Sequence, residues 1–134
     1  MPRYTLSKEE RLSSRKEIES LFADGQSQTS FPVRMVWRKV DGTDPSVLPV
    51  KAMFSVSKKR FRRAVDRNRI KRLMRESYRL LKPGLYEQIG KQNLYHMAFI
   101  FTGNELPEFA SIQKGIRGAL ERWSKHIITH RSET

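Results

Sequence analysis

Residues 58–82 contain the feature that most constrains the fold, a dense run of basic side chains interleaved with apolar ones. This segment holds twelve Lys or Arg against only Asp66 and Glu76, so it carries +10 of the chain's net charge of +13. Blocks of like charge usually repel one another into a disordered tail. Here, however, apolar residues recur at helical spacing from Ile70 to Leu81, which predicts a folded amphipathic helix with a basic face.

About 100° of rotation per residue separates the side chains of this helix into two sectors. The apolar stripe consists of Ile70, Leu73, Met74, Ser77 and Leu81. The polar sector on the other side consists of Arg67, Asn68, Lys71, Arg72, Arg75 and Arg79. We expect the helix to begin near residues 62–66 and to end at Pro83-Gly84, because proline lacks the N–H that a helix interior needs.

The imbalance of charge predicts a polyanionic partner. A surface that is only solvated mixes both signs of charge, whereas this one holds two acids among twelve bases. Arginine predominates, and its planar guanidinium suits forked contacts to phosphate and stacking on exposed bases. RNA or another polyphosphate is therefore the predicted partner of this face.

The whole chain, 134 residues long, is expected to form one domain over residues 1–134, with a flexible tail at 129–134. It contains no cysteine, which excludes a disulfide framework and a thiolate metal site and fits a reducing cytoplasm. We find neither an apolar run of about 18 residues nor the apolar stretch of a signal peptide, so we expect no membrane association.

The other elements follow from local patterns. Ser7 and Glu10 form a possible capping box for a helix over about 8–23, which Gly25 would end. Two segments rich in β-branched and aromatic residues, 31–40 and 47–56, flank Asp41-Gly42-Thr43-Asp44-Pro45 and are interpreted as a hairpin. Further predictions are a short strand at 26–30, a central strand at 94–102 closed by Gly103-Asn104, and a last helix. That helix presents Ile112, Ile116, Leu120, Trp123 and Ile127 on one side, and its Gly115 and Gly118 predict close packing.

Four segments in and before the basic helix form one long pattern: Phe54-Ser55-Val56-Ser57-Lys58-Lys59, Arg63-Ala64-Val65, Arg67-Asn68-Arg69-Ile70-Lys71-Arg72 and Arg75-Glu76. Arg11-Leu12 also stands ahead of a first helix that ends at Leu21-Phe22. In these residues the chain resembles the bacterial ribonuclease P protein component. The resemblance implies an α+β fold, an αβββαβα sandwich whose mixed four-stranded sheet contains a left-handed βαβ crossover. It also implies that a large RNA subunit with bound Mg²⁺ cleaves precursor tRNA, and that the protein binds the ribonuclease P RNA and the 5′ leader.

Candidate site residues follow from the basic run and the resemblance together. The expected RNA-binding residues are Lys58, Lys59, Arg60, Arg62, Arg63, Arg67, Asn68, Arg69, Lys71, Arg72 and Arg75. The resemblance further implies a leader cleft between the first helix and the sheet, to which we assign Ile18, Phe22, Trp37 and Phe54. Exposed aromatic rings suit such a cleft because single-stranded bases stack on them. Phe31 and Phe54 are equally well explained as core residues, and the unknown strand register decides which face Trp37 takes.

One departure from the family pattern lies at Lys51-Ala52-Met53, where relatives commonly carry Arg-x-Gly. A missing glycine there would change how closely the leader backbone approaches. Catalysis or metal binding by the protein itself is not expected. His126 and His130 have the spacing of two metal ligands, but no third ligand accompanies them.

Two functions remain open at this point: a subunit of an RNA-based endoribonuclease, and a non-catalytic ribosomal or RNA-chaperone-type protein. Both need a basic face on a small α/β body. The Ser-Val-Ser-Lys-Lys strand together with the Arg-Asn-Arg helix favours the first. The oligomeric state of the free protein does not follow from the sequence.

Overall fold

The computed structural model describes residues 10–40, 49–89 and 94–132, with side chains described as far as Ile127. Its elements are α1 (Arg15–Asp24), β1 (Gln26–Ser30), β2 (Val33–Val40), β3 (Val50–Val56), α2 (Ala64–Ile89), β4 (Leu94–Phe101) and α3 (Phe109–Ser132). This is the predicted αβββαβα order of an α+β domain. Within the described ranges, no helix is long and apolar enough to cross a bilayer.

The four strands form one mixed sheet in the order β1-β2-β4-β3. Strand β2 is antiparallel to both β1 and β4, whereas β3 is parallel to β4. The predicted hairpin between β2 and β3 is therefore wrong, because β4 lies between them. Strand β4 is buried on both faces. A strand of this kind needs an interior position in the sheet, where other elements cover it. The predicted turn at 41–45 lies outside the described residues, and the handedness of the β3-α2-β4 crossover stays a prediction.

Strand alternation gives the sheet two different faces. One face packs against α2 and α3 and forms the main core, in which Trp123, Tyr78 and Phe99 are the largest fully buried aromatic side chains. The other face packs against α1 through a smaller cluster built on Leu12, Leu21, Val36 and Ala98. Helix α1 is short, so it covers only part of that face.

Helix α1 begins at Arg15 rather than near residue 8. The Ser14 hydroxyl accepts a hydrogen bond from the N–H of Glu17 at 3.3 Å and caps the helix. The pattern Ser-x-x-Glu occurs twice in this region, and the second copy is the one that caps. Ser7, the cap that the sequence predicted, lies outside the described residues. Gly25 ends the helix as predicted, with its N–H bonded to the Leu21 carbonyl at 2.8 Å.

Helix α2 begins at Ala64, as predicted, but it does not end at Pro83. It continues for two further turns to Ile89, and Pro83 lies inside it. A proline in a helix interior removes one backbone hydrogen bond. The added turns bury Leu85 and Ile89 in the main core, which offsets that loss.

Helix α3 approaches the turn between β1 and β2 closely at two glycines, as predicted. A Cβ atom at Gly115 would lie 3.0 Å from the Ser30 carbonyl oxygen, and one at Gly118 would lie 2.4 Å from the Ser30 hydroxyl. Gln28 in β1 also donates to the Ala119 carbonyl at 2.8 Å. The helix includes residues 129–132, and the flexibility of the tail stays a prediction.

A buried ionic cluster joins the N-terminal segment to the second half of α2. Glu10 and Lys82 are each 1% exposed, and the Lys82 Nζ lies 2.8 and 2.7 Å from the two Glu10 carboxylate oxygens. The Tyr86 hydroxyl donates to the same carboxylate. Burial raises the pKa of Tyr86 well above its ordinary value, and the neighbouring Tyr78 and Glu10 raise it further. Tyr86 therefore remains a protonated donor.

This cluster makes Glu10→Ala one of the most damaging single substitutions outside the apolar core. Removal of the carboxylate takes the Glu10 counter-charge away from the buried Lys82 ammonium, which costs about 3–5 kcal/mol of unfolding free energy. Urea unfolding followed by circular dichroism measures the loss. The double variant Glu10→Leu with Lys82→Met is the control, because it removes both charges and is expected to recover most of the stability. A Glu10→Ala protein within about 1 kcal/mol of the wild type contradicts this account.

Candidate RNA interface

The loop after β3 and the first half of α2 form a continuous basic surface, hereafter the basic face. The exposed members are Lys58, Lys59, Arg60, Arg62, Arg63, Asn68, Arg69, Arg72 and Arg75, and Arg67 and Lys71 are half-buried. All eleven RNA-binding candidates from the sequence thus lie together in the fold. The positive end of the α2 dipole lies at the same place and adds to the attraction for anions.

The loop that carries Lys58 and Lys59 is held in a fixed turn. The Ser57 hydroxyl accepts hydrogen bonds from the N–H groups of Lys59 at 3.2 Å and Arg60 at 3.4 Å. Phe61 is buried at the end of the turn, with its ring centroid 5.8 Å from that of Phe101. The apolar anchor and the hydroxyl together project the basic side chains outward from a defined backbone.

Arg67 has a structural task in addition to its predicted contact with RNA. Its guanidinium donates to the carbonyls of Phe61 at 2.8 Å and Arg62 at 2.9 Å, and so ties the loop to the first turn of α2. Arg60 similarly donates to the Thr102 carbonyl. These two arginines position the loop, whereas no such bond to the loop is found for Arg69 or Arg72 within the described part of the chain.

The predicted faces of α2 are confirmed by burial. Ile70, Met74 and Ser77 are fully buried, and Leu73 and Leu81 pack against the same core while remaining partly exposed. The sequence analysis missed Tyr78, which is also fully buried. The other side keeps its positive charge. Of the two acids in the segment, Glu76 pairs with Arg79 and Asp66 is half-buried in the first turn.

A second candidate surface lies on the sheet face that α1 only partly covers. One row of side chains crosses all four strands there, because Thr29, Arg34, Ile100 and Ser55 stand opposite one another in register. Thr29 and Arg34 are exposed, while Ile100 and Ser55 are half-buried. This open row, together with the flank of α1, forms a shallow cleft. The row ends at Ser55 in β3, two residues before the Ser57 turn of the basic face.

Helical geometry places Phe22 beside the open row. Ile18 and Leu21 pack against the sheet, and Glu17 and Phe22 lie roughly 70° to either side of them. The Glu17 side of α1 contacts His96, toward the start of β4. The Phe22 side of the helix therefore lies toward the other end of β4, where Ile100 lies. Phe22 is 45% exposed, so its ring is accessible to a ligand. Ile18 is partly buried at the same edge, so these two cleft predictions come together.

His96 fixes α1 on the opposite side of the packed stripe. Its Nε2 lies 3.3 Å from the Glu17 carboxylate. Burial lowers the pKa of His96 below its ordinary value, the Glu17 carboxylate raises it in part, and Lys51 and Arg38 lower it. This contact links α1 to β4.

Trp37 and Phe54 do not lie in this cleft, and their assignment to it is corrected. Trp37 is buried on the other sheet face, where its ring meets the edges of Trp123 and Tyr95. The Phe54 ring stacks on Phe99 at 5.6 Å on that same face, although it also reaches a groove at the outer edge of β3. Successive side chains of a strand point to opposite faces of the sheet, so a shift of one residue in register exchanges the two faces. The sequence alone does not fix that register.

Arg34 is a cleft residue that the sequence analysis missed. The signal available in the sequence was the polar side chain of Arg34 between the apolar Val33 and Met35. This signal identifies a cleft residue only when the open face of the sheet is known. Met53, at the family's glycine position, lies half-buried among the residues that pack beneath α1. Its side chain fills part of the cleft floor that a glycine would leave open, and the effect on a bound strand stays a prediction.

A basic helix and an aromatic cleft on one small mixed sheet define a class, the nucleic-acid-binding α+β domain. The family model for ribonuclease P matches residues 6–124. The ribonuclease P protein component of Porphyromonas gingivalis W83 is 41% identical over 127 residues, which cover 94% of this chain and 91% of the relative. That of Chlorobium phaeobacteroides is 40% identical over 83 residues, or 61% and 57% of the two chains.

Solved structures agree on the fold. The ribonuclease P protein of Thermotoga maritima superposes with a TM-score of 0.64 at 23% identity, over 84% of this chain and 96% of that one. The Staphylococcus aureus protein gives a TM-score of 0.62 at 19% identity, over 84% and 93%. The chain belongs to the ribonuclease P protein family. It is thus a component of ribonuclease P, the endoribonuclease of tRNA processing.

The two sides of α2 are expected to respond oppositely to substitution. Met74→Ala removes a fully buried side chain and costs about 2–5 kcal/mol of unfolding free energy. Arg72→Gln removes an exposed charge, so it leaves stability within about 0.5 kcal/mol but weakens RNA binding. Arg67→Ala is expected to do both, because it releases two loop carbonyls. Urea unfolding and filter binding to ribonuclease P RNA measure the two effects. A destabilised Arg72→Gln beside an unaffected Met74→Ala would reverse the assignment of the faces.

Proposed function

We propose that this protein binds the ribonuclease P RNA through its basic face and the 5′ leader of precursor tRNA in its cleft, and so promotes removal of the leader by the RNA. The observation that carries the proposal is the adjacency of two unlike surfaces. One is a rigid array of cations suited to phosphate, and the other is an open sheet row flanked by an exposed aromatic ring. They meet at the turn that Ser57 holds.

The chemistry in this proposal belongs to the RNA. Mg²⁺, bound chiefly by the RNA subunit, supplies the catalytic metal chemistry in the assembled enzyme. The side chains of this chain bind and orient the two RNAs. Two polyanions repel each other on approach, and a protein of net charge +13 between them lowers that repulsion. Less Mg²⁺ is then needed for the precursor and the catalytic RNA to come together.

The direct test is leader removal at low Mg²⁺. Added to a ribonuclease P RNA at a Mg²⁺ concentration where the RNA alone is slow, the wild-type protein is expected to accelerate cleavage at the 5′ end of mature tRNA. A variant with Arg69, Arg72 and Lys71 changed to Gln is expected to lose this effect and to assemble poorly with the RNA. A matched variant with Lys114, Arg117 and Lys125 changed to Gln removes three positive charges from another exposed surface, on α3. Binding without acceleration would favour a passive RNA-binding role.

The cleft is tested through Phe22. Phe22→Ala is expected to lower the affinity of the assembled enzyme for precursor tRNA and to leave that for mature tRNA unchanged, because only the precursor has a single strand to stack. One stacking contact is worth about 1–3 kcal/mol, or roughly 5- to 100-fold. Phe31→Ala is the control, because Phe31 is 74% exposed but lies in the turn between β1 and β2. If Phe22→Ala folds normally and keeps the wild-type ratio of the two affinities, Phe22 is not a leader contact.

A further inference from the structure

A groove of about 490 Å³ lies at the outer edge of β3, between the N-terminal segment and α2. It shares Arg75 with the basic face and lies beside the cleft, but it contains none of the four residues of the open row. Its walls are formed by Arg11, Leu12, Ser13, Ala52, Met53, Phe54 and Arg75. These residues come from three elements that are distant in the sequence, so the groove exists only in the folded chain.

The backbone at this edge of the sheet has an N–H donor, that of Phe54, for which no partner is found among the described residues. Within residues 10–14, the N-terminal segment joins β3 at one bridge, where the N–H of Leu12 donates to the Ala52 carbonyl at 2.9 Å. The segment then turns away, since Ser14 caps α1. Backbone groups of alternate residues point to the same edge of a strand, so the N–H of Phe54 points into the groove two residues further on.

Two arginines, Arg11 and Arg75, line the groove. Both side chains are exposed, and no Asp or Glu is among the described residues that line it. Like charges in one groove repel each other unless an anion lies between them. Leu12, Met53 and Phe54 give the same groove an apolar floor. A ligand with a phosphate and an adjoining less polar group, such as a nucleotide unit with its ribose, complements both features.

We propose that this groove binds one phosphate of a single-stranded RNA, with Arg11 and Arg75 on the same phosphate and the Phe54 N–H as a third donor. The inference rests on the proposed function and commits to the 5′ leader as the source. Met53 belongs both to the packed floor beneath α1 and to the wall of the groove. A strand that lies in the cleft therefore passes into the groove across the edge of β3 without a break.

A double-mutant cycle tests whether the two arginines share one phosphate. The variants are Arg11→Gln, Arg75→Gln and the double variant, each assembled with ribonuclease P RNA and titrated with precursor and with mature tRNA. Arg117→Gln, an exposed α3 residue, is the control for loss of one charge. Each single groove variant is expected to bind precursor about tenfold more weakly. It should also reduce the slope of log K against log salt by about 0.7.

The shared phosphate makes the two losses overlap. The double variant is expected to be little worse than the weaker single variant, and mature tRNA is expected to bind as to the wild type. Two losses that multiply would show separate contacts and overturn the shared site. An Arg11→Gln protein that assembles poorly with the RNA subunit, but binds precursor normally once assembled, would overturn the leader as the source. If Phe22→Ala impairs precursor binding while Arg11→Gln does not, the phosphate site in the groove is wrong and the proposed function of the cleft is kept.

Discussion

Each layer of this fold depends on contacts with β4. Its Tyr95, Met97, Phe99 and Phe101 enter the core under α2 and α3, while Ala98 packs beneath α1 on the other face. It is also hydrogen-bonded to strands on both sides, antiparallel to β2 and parallel to β3. The strand therefore fixes the position of the basic face relative to the cleft, because α2 and α1 are attached to its opposite faces.

The basic face exists because packing exceeds electrostatic repulsion. Ten net positive charges lie in residues 58–82, and exposed like charges one helical turn apart destabilise a helix by a few tenths of a kcal/mol per pair. Full burial of Ile70, Met74 and Tyr78 on the other side contributes on the order of 1.5–3 kcal/mol for each side chain. The protein can therefore keep a rigid cation array with only two carboxylates among twelve basic residues, and the array remains available to phosphate.

Local patterns predicted much of this structure, and non-local pairing accounts for most of the errors. The faces of α2 follow from 3.6-residue periodicity, and α3 follows from its spacing of apolar residues. The position of β3 beside β4 does not follow from local patterns, because parallel strands are joined by a long connection and not by a tight turn that the sequence would reveal. Trp37 was assigned to the wrong surface for a related reason, since strand parity depends on register. The ion pair of Glu10 with Lys82 joins residues whose local sequence gives no sign of the contact.

The sheet order also governs when the surface for RNA can form during synthesis. Strand β3 is released long before its partner β4, and the whole of α2 is made between them. Until residues 94–101 emerge, the apolar stripe of α2 lacks the central strand of the sheet on which it packs, whereas α1, β1 and β2 have neighbours close in sequence. Non-local pairing of this kind makes folding slow. The nascent chain therefore carries a dense positive charge before its main core can form, and the basic face reaches its folded geometry only after β4 has been inserted.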